Sequence, residues 1–113
     1  MELTILDNDF CICQVSNLSE IDTTDSFCFI AKTLEEISVV CSVSHAPKNP
    51  LARDDGWKGF KVAGILDFSL VGILAKLSNI LAENSIPLFA VSTFATDYIL
   101  VKGYVLRKST QGT

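Results

Sequence analysis

The most regular hydrophobic pattern in the chain lies in residues 70–84. Apolar residues recur there at steps of three and four, with polar residues between them, at Leu70, Ile73, Leu74, Leu77, Ile80 and Leu81. This spacing places the apolar side chains on one stripe of an α-helix about 22 Å long. Asp67 or Ser69 can cap the first turn, because a short side-chain oxygen accepts a hydrogen bond from an amide that the helix leaves unpaired.

Strand-like segments flank this predicted helix. Residues 57–66 precede it, residues 86–91 follow it, and residues 97–102 come after a turn at 92–96. The continuously apolar run at 86–91 is typical of a central strand covered on both faces. Two strands joined by a helix pair in parallel through a right-handed crossover, and the last strand should return antiparallel as a hairpin partner. The pattern therefore predicts a βαββ unit.

The N-terminal half has shorter alternating segments. We expect a hairpin of residues 3–6 and 10–15 that reverses at 7–9, where Asp and Asn are turn formers. A polar loop follows at 16–26, with room for one helical turn near 18–21. Residues 27–32 and 37–43 are predicted strands, joined by a turn at 33–36. Thr33 and Glu36 also fit a capping box that opens a helix, but the β-branched run that follows favours the strand.

Proline and turn-forming residues divide the chain into two parts. Residues 45–56 contain prolines and are predicted to be a linker, between an N-terminal unit at 1–44 and a C-terminal unit at 57–103. Residues 104–113 have no amphipathic repeat and should fray into disorder. Neither part is large enough to bury a stable core alone, so we expect their strands to share one sheet or two facing layers.

Composition and charge restrict the classes of function that the chain can have. The chain has 113 residues, of which 49% are hydrophobic, and a net charge of −4. So much apolar surface predicts a well-filled core or a face buried against a second copy. The acidic balance argues against nucleic acid and anionic membranes as partners. The N-terminus lacks the basic start of a signal peptide, and Lys76 interrupts the longest apolar stretch. We expect a cytoplasmic protein.

The cysteines and the single histidine are weak candidates for chemistry. Cys11, Cys13, Cys28 and Cys41 lie in apolar, strand-like contexts, and their spacing is a poor match to a metal site. We interpret them as buried reduced thiols, with a redox or metal role as the alternative. His45 is interpreted as a solvated loop residue. The sequence predicts no bound metal and no cofactor.

Residues 57–102 resemble the small bacterial ACT-domain proteins, a group similar to the regulatory domains of aspartate kinase and to the arginine sensors of the mTOR pathway. The resemblance is carried by residues 64–75 and 92–101, with weaker support from 33–41. It implies an α+β, ferredoxin-like fold with two ACT-type units sharing an antiparallel sheet. The chain departs from the pattern after residue 102, where a closing helix is usual. We expect that helix to be absent, leaving apolar sheet surface for a partner chain or the N-terminal half to cover.

The expected site is a pair of turns. The amides of Leu70, Val71 and Gly72 open the predicted helix, where partial positive charge suits a carboxylate. In the facing turn, Asp97 with Ser92 and Thr93 can accept hydrogen bonds from an ammonium. Phe94 would cover the apolar part of a ligand. The resemblance assigns amino-acid binding to these same positions, and the full set is Asp67, Ser69, Leu70, Val71, Gly72, Ser92, Thr93, Phe94 and Asp97.

Ordinary structural roles explain several of these residues equally well. Asp67 and Ser69 are accounted for by capping alone, and Thr93 and Asp97 by turn formation. Catalysis is not expected, because the sequence shows no nucleophile with a base, no paired carboxylates in an apolar context and no phosphate-binding glycine loop. We predict a non-enzymatic regulatory module that binds a free amino acid as a homodimer. The alternative is a ligand-free module that docks a metabolic enzyme through its apolar sheet surface.

Overall fold

The computed structural model describes residues 2–63, 75, 79, 82–83 and 87–102. Two short 3-10 helices, Leu18–Glu20 and Val43–His45, lie in this part of the chain. Its strands are β1 (Glu2–Val15), β2 (Cys28–Lys32), β3 (Ile37–Ser42), β4 (Ala52–Ala63), β5 (Leu88–Ser92) and β6 (Asp97–Lys102). They form a six-stranded sheet in the order β2-β3-β1-β4-β6-β5.

The chain divides into two compact units. The N-terminal unit is Asn8–Gly56, and the C-terminal unit combines Met1–Asp7 with Trp57–Thr113. In the N-terminal unit, β3 pairs antiparallel with both β1 and β2. In the C-terminal unit, β6 pairs antiparallel with both β4 and β5. Each unit therefore repeats one arrangement, in which the third strand in chain order lies between the other two.

The core of the N-terminal unit is a face of the sheet lined with thiols. Cys11 on β1 and Cys28 on β2 both lie opposite Cys41 on the central β3. Cys11, Cys13, Cys41 and Val39 are each exposed by 1% or less. Ile21 and Ala46, from the two loops that follow β1 and β3, pack against this face. Small thiols can lie close together across neighbouring strands because they behave as small apolar side chains.

The core of the C-terminal unit is built from larger side chains. Ile99, Leu100 and Val101 of the central β6 are buried. Trp57 is also buried, and its ring meets the ring of Phe89 edge to face at a centroid distance of 4.9 Å. The Lys102 Nζ lies 4.8 Å from the Trp57 ring centroid, on the residue directly opposite in the β4–β6 register. This cation–π contact lets the lysine cover an aromatic ring while keeping its charge accessible.

The predicted α+β, ferredoxin-like class is wrong for the part of the chain that the structure describes. More than half of those residues are in strands, and the pairings β1–β3, β2–β3, β4–β6 and β5–β6 are all antiparallel. The expected parallel pairing of the strands before and after the helix is also wrong, because β6 lies between β4 and β5. Because a short turn joins β5 to β6, these two strands pair as a hairpin. The other side of β6 then pairs with β4.

The expected central position of residues 86–91 is wrong as well. The strand formed there, β5, is the last in the strand order, and Ala90 and Ser92 on it are exposed. Pro87 immediately precedes the strand, and a residue without an amide donor suits a sheet edge. The most deeply buried strand of this unit is β6, whose apolar run is shorter.

The predicted hairpin at the N-terminus is replaced by one continuous strand. The turn expected at residues 7–9 does not form, and β1 runs from Glu2 to Val15. Burial alternates at the expected turn as it does in a strand: Asp7 and Asp9 are exposed, whereas Asn8 between them is half-buried. The Asn8 side chain donates a hydrogen bond to Ser42 Oγ at 3.0 Å, within the N-terminal unit. A polar residue with a cross-strand partner is compatible with a strand interior.

Other local predictions are confirmed. The strands β2, β3 and β6, the turn between β2 and β3, and a helical turn near residues 18–21 form where expected. Within the predicted helix, the described residues Ala75, Asn79, Ala82 and Glu83 are helical, and the rest of 70–84 lies outside the described residues. Residues 104–113 and any closing helix also lie outside them. In the described ranges no helix is long and apolar enough to cross a membrane.

Candidate functional site

The structure places four of the nine predicted site residues at one turn. Ser92 ends β5, Asp97 begins β6, and Thr93 and Phe94 lie in the connection between them. The remaining five, Asp67, Ser69, Leu70, Val71 and Gly72, lie outside the described residues. The structure therefore describes the β5–β6 side of the predicted site.

The β5–β6 turn is closed by a threonine. The Thr93 amide donates to the Thr96 carbonyl at 2.8 Å, and the Thr93 hydroxyl donates to the same carbonyl at 2.9 Å. The Thr96 amide in turn donates to Thr93 Oγ1 at 3.2 Å. A side-chain oxygen that takes the place of a backbone partner is a common turn device. It fixes the direction in which the next residue, Phe94, leaves the backbone.

A carboxylate and a hydroxyl face each other at the base of this turn. Ser92 and Asp97 are directly opposite in the β5–β6 register, and Ser92 Oγ donates to Asp97 Oδ1 at 2.6 Å. Asp97 is half-buried. Because the serine occupies one carboxylate oxygen and orients the group, Oδ2 is the oxygen that can accept a hydrogen bond from a ligand. A carboxylate so placed suits an ammonium or another cationic donor.

Phe94 is fully exposed at the tip of the turn, with a relative accessibility of 107%. It is therefore not packed beneath the sheet. Exposing an aromatic ring gives up the free energy that its burial would supply, which is typically a large contribution. A rigid turn that holds such a ring in solvent is well placed to contact a ligand or a second chain.

The N-terminal unit carries a turn of the same design. Between β2 and β3, the Thr33 amide donates to the Glu36 carbonyl at 2.9 Å, and Thr33 Oγ1 accepts from the Glu36 amide at 3.2 Å. Leu34 occupies the position of Phe94 and is also fully exposed. A cavity of about 320 Å³ lies beside this turn, lined in part by Val15, Ile37 and Leu51. The corresponding turn of the C-terminal unit, between β5 and β6, is where the sequence predicts ligand binding.

The thiols show no sign of a metal centre. Cys11 Sγ lies 3.9 Å from Cys41 Sγ and 3.8 Å from Cys13 Sγ. No group of three or more potential ligands in the described ranges is arranged to hold a metal ion. Burial raises the pKa of the Cys11, Cys13 and Cys41 thiols to about 11, so they stay protonated at neutral pH. A protonated, buried thiol is a poor nucleophile and a poor metal ligand.

Sequence reasoning missed a polar network beneath His45. The Asp25 side chain is only 3% exposed, and its oxygens accept hydrogen bonds from the Ser42 amide at 2.8 Å and the Ser42 hydroxyl at 3.1 Å. Its Oδ1 lies 3.8 Å from the Nδ1 of His45. Asp25 sits in a polar loop whose composition predicts solvent exposure. Its partners are far along the chain, so no local pattern could have identified it.

A second feature missed from sequence is an open cleft in the N-terminal unit. It has a volume of about 480 Å³ and lies between residues 19–22, which follow β1, and residues 44–49, which follow β3. Volumes of about 300–1,000 Å³ are typical of small-molecule sites. Both segments were predicted to be loop or linker, and nothing in their sequences shows that they face each other.

Comparison with known proteins identifies relatives. A family model for the ACT domain matches residues 52–110. The chain is 32% identical to protein Atu0741 from Agrobacterium tumefaciens, over 96% of this chain and 83% of that one, with a TM-score of 0.78. It also shares its fold with protein VC0802 from Vibrio cholerae, described as a possible transport protein, at 18% identity, a TM-score of 0.68 and coverage of 97% and 84%. No curated protein matches the chain.

Proposed function

The chain belongs to the ACT-domain family, and on that premise we propose that it is a non-enzymatic regulatory module that binds a free amino acid as a cytoplasmic homodimer. ACT domains are regulatory rather than catalytic, and they typically bind small ligands. The proposal adds the ligand class, the position of the site and the output. The output we propose is a ligand-dependent change in the dimer interface, which couples binding to a partner enzyme.

The observation that carries the proposal is the base of the β5–β6 turn. Asp97 is held by Ser92 at 2.6 Å, next to the exposed ring of Phe94. An amino acid presents an ammonium, a carboxylate and a side chain. The carboxylate of Asp97 would bind the ammonium and Phe94 would contact the side chain. The ligand carboxylate would be bound by the backbone amides of Leu70, Val71 and Gly72, which remain part of the proposed site.

Calorimetric titration of the full chain with each of the twenty amino acids tests the proposal. We expect at least one to bind, and Asp97→Asn to weaken its binding at least tenfold. A hydrogen bond to a charged group contributes about 1.5–3 kcal/mol, and 1.4 kcal/mol is a tenfold change in affinity. Glu35→Gln is the matched control, because it removes a carboxylate from the corresponding turn of the N-terminal unit and should leave affinity unchanged.

The same titration separates this function from its alternative. If no amino acid binds, the proposal fails, and a ligand-free module that docks a metabolic enzyme becomes the better explanation for the exposed Phe94 ring. Equal weakening by Asp97→Asn and Glu35→Gln would show that overall charge, and not the β5–β6 turn, controls binding. Sedimentation equilibrium with and without the bound amino acid then tests the proposed output, for which we expect a ligand-dependent dimer dissociation constant.

A further inference from the structure

The cleft between residues 19–22 and 44–49 has walls of opposite character. One wall carries the carboxylates of Glu20 and Asp22, and the other carries His45 and the ammonium of Lys48. Between them, Ile21 and Ala46 provide apolar surface. A cleft with an acidic side, a basic side and an apolar floor complements a small molecule that carries both charges. All of its lining residues belong to the N-terminal unit, so the cleft is separate from the β5–β6 turn.

The acidic wall is fixed before any ligand arrives. Glu20 Oε2 accepts hydrogen bonds from the Ser16 amide, the Ser16 hydroxyl and the Asn17 amide at 3.1, 2.7 and 2.9 Å, within a capping box around Leu18–Glu20. Asp22 Oδ1 accepts from the Thr24 amide at 2.9 Å and from the Thr24 hydroxyl. Each carboxylate uses one oxygen for these bonds, so Glu20 Oε1 and Asp22 Oδ2 remain as acceptors for a ligand.

The ionisation of Asp22 also fits this role. The hydrogen bonds from Thr24 lower the pKa of the Asp22 carboxyl, and the nearby charge of His45 acts in the same direction. Asp22 is therefore ionised at neutral pH.

The opposite wall is oriented by the buried Asp25. The His45 Nδ1 lies 3.1 Å from Ser44 Oγ and 3.8 Å from Asp25 Oδ1. Because Nδ1 is directed to these two groups, Nε2 is the ring nitrogen available to a ligand. Asp25 is itself held by Ser42 and by the Phe27 amide at 3.2 Å. Asp25 therefore orients the His45 ring. Lys48 adds a positive charge on the same side of the cleft.

We propose that this cleft is a second ligand site, specific for a zwitterion with a primary ammonium and a carboxylate. Glu20 and Asp22 bind the ammonium and Lys48 binds the carboxylate, which also accepts from His45 Nε2–H when the ring is an imidazolium. The two carboxylate acceptors and the two basic groups are presented from opposite walls, so a ligand with only one charge satisfies only half of the cleft. The site goes beyond the proposed function, because it uses none of the residues of the β5–β6 turn.

Residue-resolved NMR of the ¹⁵N-labelled full chain tests this site. Each of the twenty amino acids is titrated, and saturable amide shifts at residues 19–22 and 44–49 are expected for at least one. The methyl ester of that amino acid lacks the carboxylate and its N-acetyl form lacks the ammonium, so each should bind at least tenfold more weakly. Asp22→Asn and Lys48→Met should each weaken binding at least tenfold.

Matched controls make the outcome specific. Glu35→Gln and Lys32→Met remove exposed charges of the same sign elsewhere in the N-terminal unit and should leave the affinity within twofold. The second site is refuted if no amino acid shifts residues 19–22 and 44–49, or if the shifts are confined to residues 92–97. It is also refuted if the ester or the N-acetyl form binds as tightly as the free amino acid. Shifts at 92–97 report separately on the proposed function.

Discussion

The two units have the same arrangement of three strands, here called the frame, but different side chains pack their cores. Each has a central third strand and a four-residue turn that begins with threonine and exposes an apolar side chain, Leu34 in one and Phe94 in the other. The N-terminal frame is packed with small thiols and the C-terminal frame with Trp57 and Ile99. Their crossovers also differ, because residues 16–27 contain a single 3-10 helix, whereas Ala75, Asn79, Ala82 and Glu83 between β4 and β5 are α-helical.

This difference shows which features the frame requires and which are open to vary. The threonine turn and the buried central strand occur in both units, so they serve the fold. The acidic residue at the base of the turn occurs only in the C-terminal unit, where Asp97 takes the position that Ile37 has in the other register. The comparison therefore separates a structural role, shared by Thr33 and Thr93, from a ligand role proposed for Asp97 alone.

The largest predicted effect comes from the central strands. Ile99 and Val39 occupy corresponding positions, and both are 0% exposed. We expect Ile99→Ala to lower the free energy of unfolding by about 3–4 kcal/mol. Val39→Ala removes two carbons instead of three and should cost about a third less. Urea denaturation measures both, with the exposed Ile5→Ala as a control. A loss below about 1 kcal/mol for only one of the two variants would show that the two frames do not have equivalent cores.

The second largest effect, a loss of stability at alkaline pH, should arise only in the N-terminal frame. Because the buried thiols have pKa values of about 11 and free thiols ionise near 8.5, the folded state holds protons that the unfolded state releases. Stability is therefore complete below about pH 8.5 and falls as the pH rises through about 11. Each thiol contributes a slope of about 1.4 kcal/mol per pH unit in this window.

Urea titrations between pH 8 and pH 11 measure that slope. Relative to the wild type, Cys13→Ala should reduce the slope of stability against pH by about the contribution of one thiol. Ile99→Val, in the frame without thiols, should leave the slope unchanged although it lowers stability. If Cys13→Ala and the wild type lose stability in parallel, the buried thiols are not the source of the alkaline instability.

The third effect should be equal in the two units. Thr33→Val and Thr93→Val remove the hydroxyl that bonds each turn, and each should cost about 1 kcal/mol of unfolding free energy. Thr93→Ser keeps the hydroxyl and should retain most of the stability. Thermal unfolding monitored by circular dichroism is sufficient for the comparison. A loss from only one of the two valine variants would break the equivalence of the turns.

The smallest effect on stability should come from the turn tips. Leu34→Ser and Phe94→Ser change fully exposed side chains, so each should alter the free energy of unfolding by less than about 0.5 kcal/mol. Chemical denaturation gives the values. A larger loss from either would mean that the side chain is buried in the assembly that forms in solution.

Local patterns predicted the β2–β3 and β5–β6 hairpins well, and the N-terminal hairpin and the long-range pairing poorly. The alternation around Ser38 and the β-branched run before Lys102 specify β3 and β6, because strand formation there depends on nearby residues. The turn expected at Asp7 and Asp9 does not form: β1 continues through these residues, and Asn8 between them donates a hydrogen bond to Ser42 on β3. The order of β4, β6 and β5 depends on pairing between residues that are far apart along the chain, and local composition carries no record of that pairing.

The candidate functional residues divide in the same way, into those that local sequence predicts and those that long-range contacts place. Asp97 and Phe94 were predicted to bind a ligand because they lie within one turn and match a family pattern. Asp25, His45 and the cleft beside them were missed, since the bonds that place them join residues separated by whole strands. A buried aspartate in a segment of Ser, Thr and Asp residues has no sequence signal that distinguishes it from its exposed neighbours.

The most direct test of the central claim is calorimetric titration of the tightest-binding amino acid against the matched pair Phe94→Ala and Leu34→Ala. The two variants truncate equally exposed side chains at equivalent turns, so their effects on folding should cancel. We predict that Phe94→Ala weakens binding at least tenfold and that Leu34→Ala binds like the wild type. Equal affinities for the two variants, or no binding by the wild type, would contradict a ligand site at the β5–β6 turn.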